Sequence, residues 1–337
     1  MNIPQKTLSL LAVASLFFFS SLSAVETDPV GYITVTINGN GGTGDAFTYM
    51  GVPLHAAVTS AGVIDTAPAA NSLTDTSQAW TVDEHSGAYV MITSGANEGV
   101  SATISSNTAD TLTTAEDLSS LLAGDESFEI RPYTTLGDIF CATNTAGLDG
   151  GSTAGNADAI LIQSGSGFNT YYYKNAGLLG GTGWRSSTSP SADQSGVIVP
   201  FGTGIIIVRK QADDIDLVIS GSVFGGDAIT PIETDYNWKA PSIPVGLTLN
   251  ALFGVANEAG LDGGSSAGNA DNVVVPTASG LTTYYYKSAG LLGGTGWRSS
   301  SSPSVDEGAT VFVQPGQMFL INRTGGAGFN LAETSPL

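Results

Sequence analysis

One cysteine, two histidines and ten basic residues against thirty acidic ones are the scarcities of this chain, and each excludes something. A lone Cys141 cannot form an intramolecular disulfide, so stability has to come from packed cores. It lies in Asp138-Ile139-Phe140-Cys141-Ala142, an apolar setting that reads as a buried spectator rather than a nucleophile. His55 and His85 have no second His or Cys nearby, which excludes the common transition-metal sets. His85, within Val82-Asp83-Glu84-His85-Ser86-Gly87, reads as a solvated turn. A serine nucleophile would need a G-x-S-x-G turn, and there is none. The strings GLLGGTG lack the Lys-Ser/Thr of a phosphate loop. No context marks a pair among the thirty acids as hydrolytic carboxylates. No catalytic residue is assigned, and a non-enzyme is expected.

Positive charge is short by twenty, giving a formal net charge of −20. Such a surface repels phosphate backbones and anionic lipid, so nucleic acid and bare membrane are not expected as partners. Long apolar runs are also missing, with one exception. Leu8 to Phe19 is apolar, Lys6 precedes it, and Ser20-Ser21-Leu22-Ser23-Ala24 follows. A bilayer span needs about 20 apolar residues, whereas this length suits a signal peptide. Residues 1–24 are therefore read as a signal peptide cut after Ala24 or Ser23. No membrane insertion is expected after cleavage. The expected location is extracellular or on the cell surface, with the periplasm as the other exported compartment.

Helical periodicity is scarce beyond that segment, apart from one helical turn expected at Asp117–Leu122. What is there is β. Short β-branched runs such as Ile33-Thr34-Val35-Thr36-Ile37, Ile160-Leu161-Ile162, Val273-Val274-Val275 and Val311-Phe312-Val313 alternate with Gly, Asn, Asp and Ser clusters, the pattern of sandwiches and barrels. The 44 glycines follow no collagen period and suit many tight turns.

An internal duplication organises the chain. Residues 146–191 align without a gap to 259–304 at an offset of 113, with 34 of 46 positions identical. The shared text is AGLDGGS-x-AGNAD, an apolar strand, then YYYK-x-AGLLGGTGWRSS-x-SPS. Continuing at the same offset pairs Gly204–Arg209 with Gln317–Asn322. Upstream, Asp235-Tyr236-Asn237-Trp238 resembles Ala46-Phe47-Thr48-Tyr49, but about 75 residues then intervene in the first copy. The expected architecture is two duplicated β-sandwich or barrel-like domains, residues 25–57 with 134–225 and residues 226–337. A small β-barrel-like module, residues 58–133, is inserted in the first. Alternation in Ala88–Thr93 and Val100–Ser105 predicts a sheet with one wet face there.

Two sets of candidate ligands arise from the repeats. Asp149, Asn156 and Asp158, with Asp262, Asn269 and Asp271, offer oxygen ligands on glycine-rich loops, the chemistry calcium takes; capped turns with glycines at positive φ explain the same residues without an ion. Tyr171, Tyr173, Trp184 and Arg185, with Tyr284, Tyr286, Trp297 and Arg298, could form an aromatic face for sugar rings twice over. Strand alternation puts Tyr171 and Tyr173 on one side and Tyr172 on the other. The competing reading is that these rings fill the core. Near-identity of the loops leaves three explanations open: demanding backbone geometry, recent duplication, or the same ligand bound twice.

Several of these segments carry a resemblance. TDPVGYITVTI, FTYMGVPL, the NAD-plus-strand phrase, the tyrosine run and Pro315-Gly316-Gln317-Met318-Phe319 resemble an uncharacterised family of exported paralogous proteins of verrucomicrobial-type bacteria. The inserted stretch is similar to small β modules of surface, adhesive and phage-tail proteins. The resemblance implies export and all-β structure and lends no reaction. Three roles are therefore expected in descending order. The first is a non-enzymatic structural or adhesive cell-surface or extracellular protein, partnered by other surface proteins or copies of itself. The second is a bivalent glycan- or ligand-binding module using the duplicated aromatic faces. The third is an enzyme acting on extracellular polymer.

Overall fold

The computed structural model describes residues 29–335 apart from 178–179, 278–279, 291–292 and 311. The expected signal peptide and its cleavage site lie outside the described residues. The fold is all-β, with two five-residue helices among the described residues.

In the first copy, five antiparallel strands form a sheet in the order Gly183–Ser186, Gly167–Lys174, Ala159–Ser164, Gly204–Arg209, Ala46–Gly51. A ribbon of Val30–Ile37 with Ile215–Ser222 packs on it. The second copy repeats the order with Gly296–Ser299, Gly280–Lys287, Asn272–Thr277, Phe319–Arg323 and Asp235–Lys239, and with a shorter ribbon of Ala228–Ile232 and Phe329–Glu333. Each sheet and ribbon enclose one core. The first is built on Ile160, Trp184, Ile205, Ile207 and Leu217, the second on Val273, Trp297, Phe319, Ile321 and Leu331.

The helices, Leu136–Phe140 and Leu249–Phe253, were not expected from the sequence. Five residues are too few to display a 3.6-residue period. Local chemistry makes them: Thr135 Oγ1 accepts from Asp138 N while Asp138 Oδ2 accepts from Thr135 N, a capping box. Thr248 caps its copy through Ala251 N. Each helix drops a Leu and a Phe into its core.

A six-stranded sheet is drawn from residues 60–132, in the order Ser60–Val63, Ser127–Pro132, Ala88–Ile92, Ser101–Asn107, Thr111–Thr114, Ser72–Thr74. It curls until its two edges nearly meet, where Asp65 N donates to Thr74 O at 2.9 Å. Leu118 O accepts from both Leu121 N and Leu122 N, the single turn expected there. Its core is built on Val90, Ile92, Ile104, Leu112, Phe128 and neighbours, with Ile229 of the second ribbon packed against it. The wet face expected on Ala88–Ile92 is dry. Tyr89 and Met91, on the side opposite Val90 and Ile92, pack with Phe224 and Ala228 between the two ribbons. Alternation marks two faces of a strand but not what covers each one.

The repeats also lean on each other. Ile206, Leu161 and Tyr49 on the outer face of the first sheet meet Trp238, Ala240 and Met318. Strand Gly204–Arg209 is accordingly buried at all six positions. Gly51 is required at this seam, since a Cβ there would stand 2.1 Å from that of Ala240. Gln163 bonds twice to the edge strand of the second sheet, donating to Tyr236 O (2.7 Å) and accepting from Trp238 N (3.0 Å). Side-chain pairing of this kind blunts an open sheet edge.

Candidate functional site

Five of the six residues expected to bind calcium, all but the exposed Asp262, have side chains engaged by the protein itself. Asp158 is buried; its Oδ2 accepts from Asp149 N (2.7 Å) and Arg209 Nη1 (2.8 Å), and its Oδ1 from Lys210 N (2.8 Å). Asp271 repeats this with Asp262 N (2.8 Å) and Thr324 N (2.7 Å). Arg323 Nε stands 2.9 Å from Asp271 Oδ2, an ion pair in which the N–H does not point along a hydrogen-bond line. Asn156 and Asn269 close capping boxes with Thr153 and Ser266. Asp149 is exposed and accepts from Gln211 Nε2. Arginine and backbone donors thus take the lone pairs a calcium ion would need, and the calcium expectation is corrected to a buried Asp–Arg clamp. Among the described residues, no group of three or more His, Cys, Asp or Glu could hold a metal ion.

Structure also moves the repeat register. The clamp makes Arg323 the counterpart of Arg209, an offset of 114. The gapless continuation at 113 had set Arg209 against Asn322 and hidden the second arginine.

The aromatic candidates turn inward. Tyr171 and Trp184 are buried in the first core and Tyr284 and Trp297 in the second. Tyr173 and Tyr286 are half-buried, each edge-on to its tryptophan at 5.4 and 5.5 Å. The indole N–H groups donate to Cys141 O (2.8 Å) and Gly254 O (3.0 Å). Even Tyr172, on the other side of the strand, is buried. The two exposed sugar-stacking faces expected from this run are therefore not formed by these rings.

Arg185 and Arg298 are the hubs of the glycine-rich loops. Arg298 donates to Gly293 O (2.6 Å), Thr295 O (3.0 Å) and Trp297 O (3.1 Å) and pairs with Asp306 at 3.1 Å. Arg185 binds Gly180 O, Thr182 O, Trp184 O and Asp193 in the same way. Five N–H donors in a rigid fork suit several carbonyls at once. Gly183 and Gly296 hold φ of 135° and 133° beside the guanidinium, a region that disfavours any side chain. Backbone geometry thus requires these two glycines in both loops.

His85 lacks the solvated setting the sequence suggests. His85 is buried, edge-on to Trp80 at 5.2 Å, with Nε2 unpartnered. Burial pushes its pKa down, against the pull of Glu84. His55 is buried where the three units meet. Its Nδ1 lies 2.8 Å from Tyr89 Oη of the inserted sheet and its Nε2 3.0 Å from Ser242 O of the second copy. Beside it, Glu333 is buried with Ser242 N donating to it at 2.7 Å. Burial raises this carboxyl to about 7. Cys141 is half-buried rather than a core residue; hydrogen bonds to Thr143 and Thr145 lower its thiol to about 6.

A cleft of about 550 Å³ opens at the same junction, lined by Tyr133, Phe201, Lys239, Thr230, Glu116 and Asp117 among others. Burial pushes the Lys239 ammonium down, and the Thr230 hydroxyl is buried without a partner. No linear signal announces this place, because its walls come from separate stretches of the chain, 100–133, 200–203, 229–239 and Asn330. In comparisons with protein families, curated proteins and solved structures, the chain finds no match.

Proposed function

We propose that the chain is an exported, non-enzymatic structural or adhesive component of the cell surface or extracellular matrix. The observation that carries this reading is where the positive charge goes. Nine basic residues are described, and Arg131, Lys174, Arg185, Arg209, Lys287, Arg298 and Arg323 are buried, while Lys210 and Lys239 are half-buried. Arg131 donates to Ala56 O and Glu129, and the other buried arginines clamp loops as described. The cations are spent on architecture, while most of the described acids are exposed. A rigid, polyanionic body of interlocked β units suits a matrix component that works through contacts with other surface proteins or copies of itself.

Fractionation of native cells, protease shaving and sedimentation of the released material test this. Shaving from intact cells together with sedimentation in large assemblies is expected. A protease-protected, monomeric periplasmic protein under all conditions overturns it.

A further inference from the structure

A cleft of about 690 Å³ lies between the two copies. One wall is the first ribbon and the neighbouring edge strand, contributing Thr34, Asn38, Phe47 and Tyr49; the facing wall is the second copy, contributing Leu281 and Gln317. Among the described residues its lining has no charged group, in a chain of thirty acids. Asp216 holds the Thr36 hydroxyl at 2.7 Å from outside the lining.

Two kinds of group remain. Phe47 is 49% exposed and Leu281 50%, and Tyr49 is half-buried beside Phe47's side of the strand. Among the described residues, the Thr34 hydroxyl, the Asn38 side-chain amide and the Tyr49 phenol have no intramolecular hydrogen-bond partner. Burial raises the phenol pKa, keeping it a neutral donor. Gln317 accepts from Gln314 N at 2.9 Å, which fixes its amide and leaves Nε2 to donate.

An aromatic wall with uncommitted hydroxyl and amide groups, and no charge, matches a ligand that is apolar on its C–H faces and hydroxylated at its rim. We propose that this cleft binds a neutral carbohydrate chain, stacking on Phe47 and Tyr49 and hydrogen-bonding Thr34, Asn38 and Gln317. The site is single and needs both copies, so it differs from a bivalent module with one face per repeat. It goes beyond the scaffold reading and stands independently of where the protein resides.

Affinity electrophoresis of the purified mature chain through gels containing neutral polysaccharides (cellulose, xylan and α-glucan types) or an acidic polyuronate tests it. Retention by at least one neutral polymer is expected, weaker with the polyuronate. Phe47→Ala weakens retention about tenfold by removing the stacking ring, and Asn38→Ala weakens it several-fold. Tyr236, the second-copy counterpart of Phe47, is 55% exposed and lies outside the cleft, so Tyr236→Ala leaves retention unchanged. Circular dichroism checks that each variant is folded. No retention by any neutral polymer, a preference for the polyuronate, or equal effects of Phe47→Ala and Tyr236→Ala overturns the proposal. None of these outcomes bears on shaving or sedimentation.

Discussion

The two copies share their arginine ion pairs and differ in their apolar filling. Between them Ile160-Leu161-Ile162 becomes Val273-Val274-Val275, yet strand order, ribbon and helix persist. By contrast, Asp158–Arg209 and Arg185–Asp193 recur as Asp271–Arg323 and Arg298–Asp306. Hydrophobic volume can be redistributed within a core at small cost. A buried charge cannot lose its partner so cheaply, because the survivor is left desolvated and unpaired. The internal ion pairs are thus the least negotiable feature of the unit, more so than its strands.

That difference predicts the largest effect. Asp158→Ala or Asp271→Ala leaves a buried arginine and several backbone N–H groups unpaired, and each should cost about 3–5 kcal/mol in urea unfolding. The clamps share no residue, so the double variant should show the sum within about 0.5 kcal/mol. A larger coupling would mean that the two clamps interact energetically across the seam between the copies. Removing divalent cations with EDTA should leave the wild-type midpoint unchanged; a fall would reinstate an ion at these loops.

Much of this was legible in the sequence and some was not, for physical reasons. Duplication, all-β character and loop boundaries follow from local text. Alternation correctly put Tyr171 and Tyr172 on opposite sides of one strand. It could not show that both sides are covered, because alternation marks the two faces of a strand and not what lies against them. The clamp was hidden because its members are 51 residues apart in the first copy and the gapless register slipped by one in the second. Oxygen-rich loops look alike whether a metal or a guanidinium fills them.

A second contrast lies in the ribbons. In the first, Ile219 faces the interior; in the second, the same register position holds Glu333. Burial raises this carboxyl from an ordinary 4.5 to about 7, so the folded state keeps the proton over a range where the unfolded chain has released it. The group is therefore neutral and harmless below about 4.5, and its penalty grows as pH rises through 7. At pH 8 the penalty should be on the order of 3 kcal/mol. Glu333→Gln keeps an acceptor for Ser242 N and should abolish this part of the slope in stability between pH 4.5 and 7.5. An unchanged slope would mean that Glu333 is not the group responsible.

The smallest effect expected comes from a position where the copies disagree in backbone tolerance. Cys141 ends the first helix at φ 63°, ψ 139°, and Gly254 ends the second at φ 84°, ψ 155°. This is a region that glycine enters freely and other residues enter under strain. Cys141→Gly should therefore raise the melting temperature by about 2–4 °C. The reverse change should lower it by more. A Cβ at Gly254 would meet Glu258 Oε2, which accepts from Ala256 N at 3.0 Å and closes the following turn. The two effects would be equal and opposite if backbone strain alone mattered. Any excess in Gly254→Cys measures the loss of that Glu258 contact, and Glu258→Ala in the same background should remove the excess. Because the thiol is lowered to about 6 by hydrogen bonds to Thr143 and Thr145, Cys141 should also alkylate at pH 7 faster than a free cysteine. A slow reaction there would mean that the threonines do not hold the thiolate, and the strain would then be all that distinguishes the two positions.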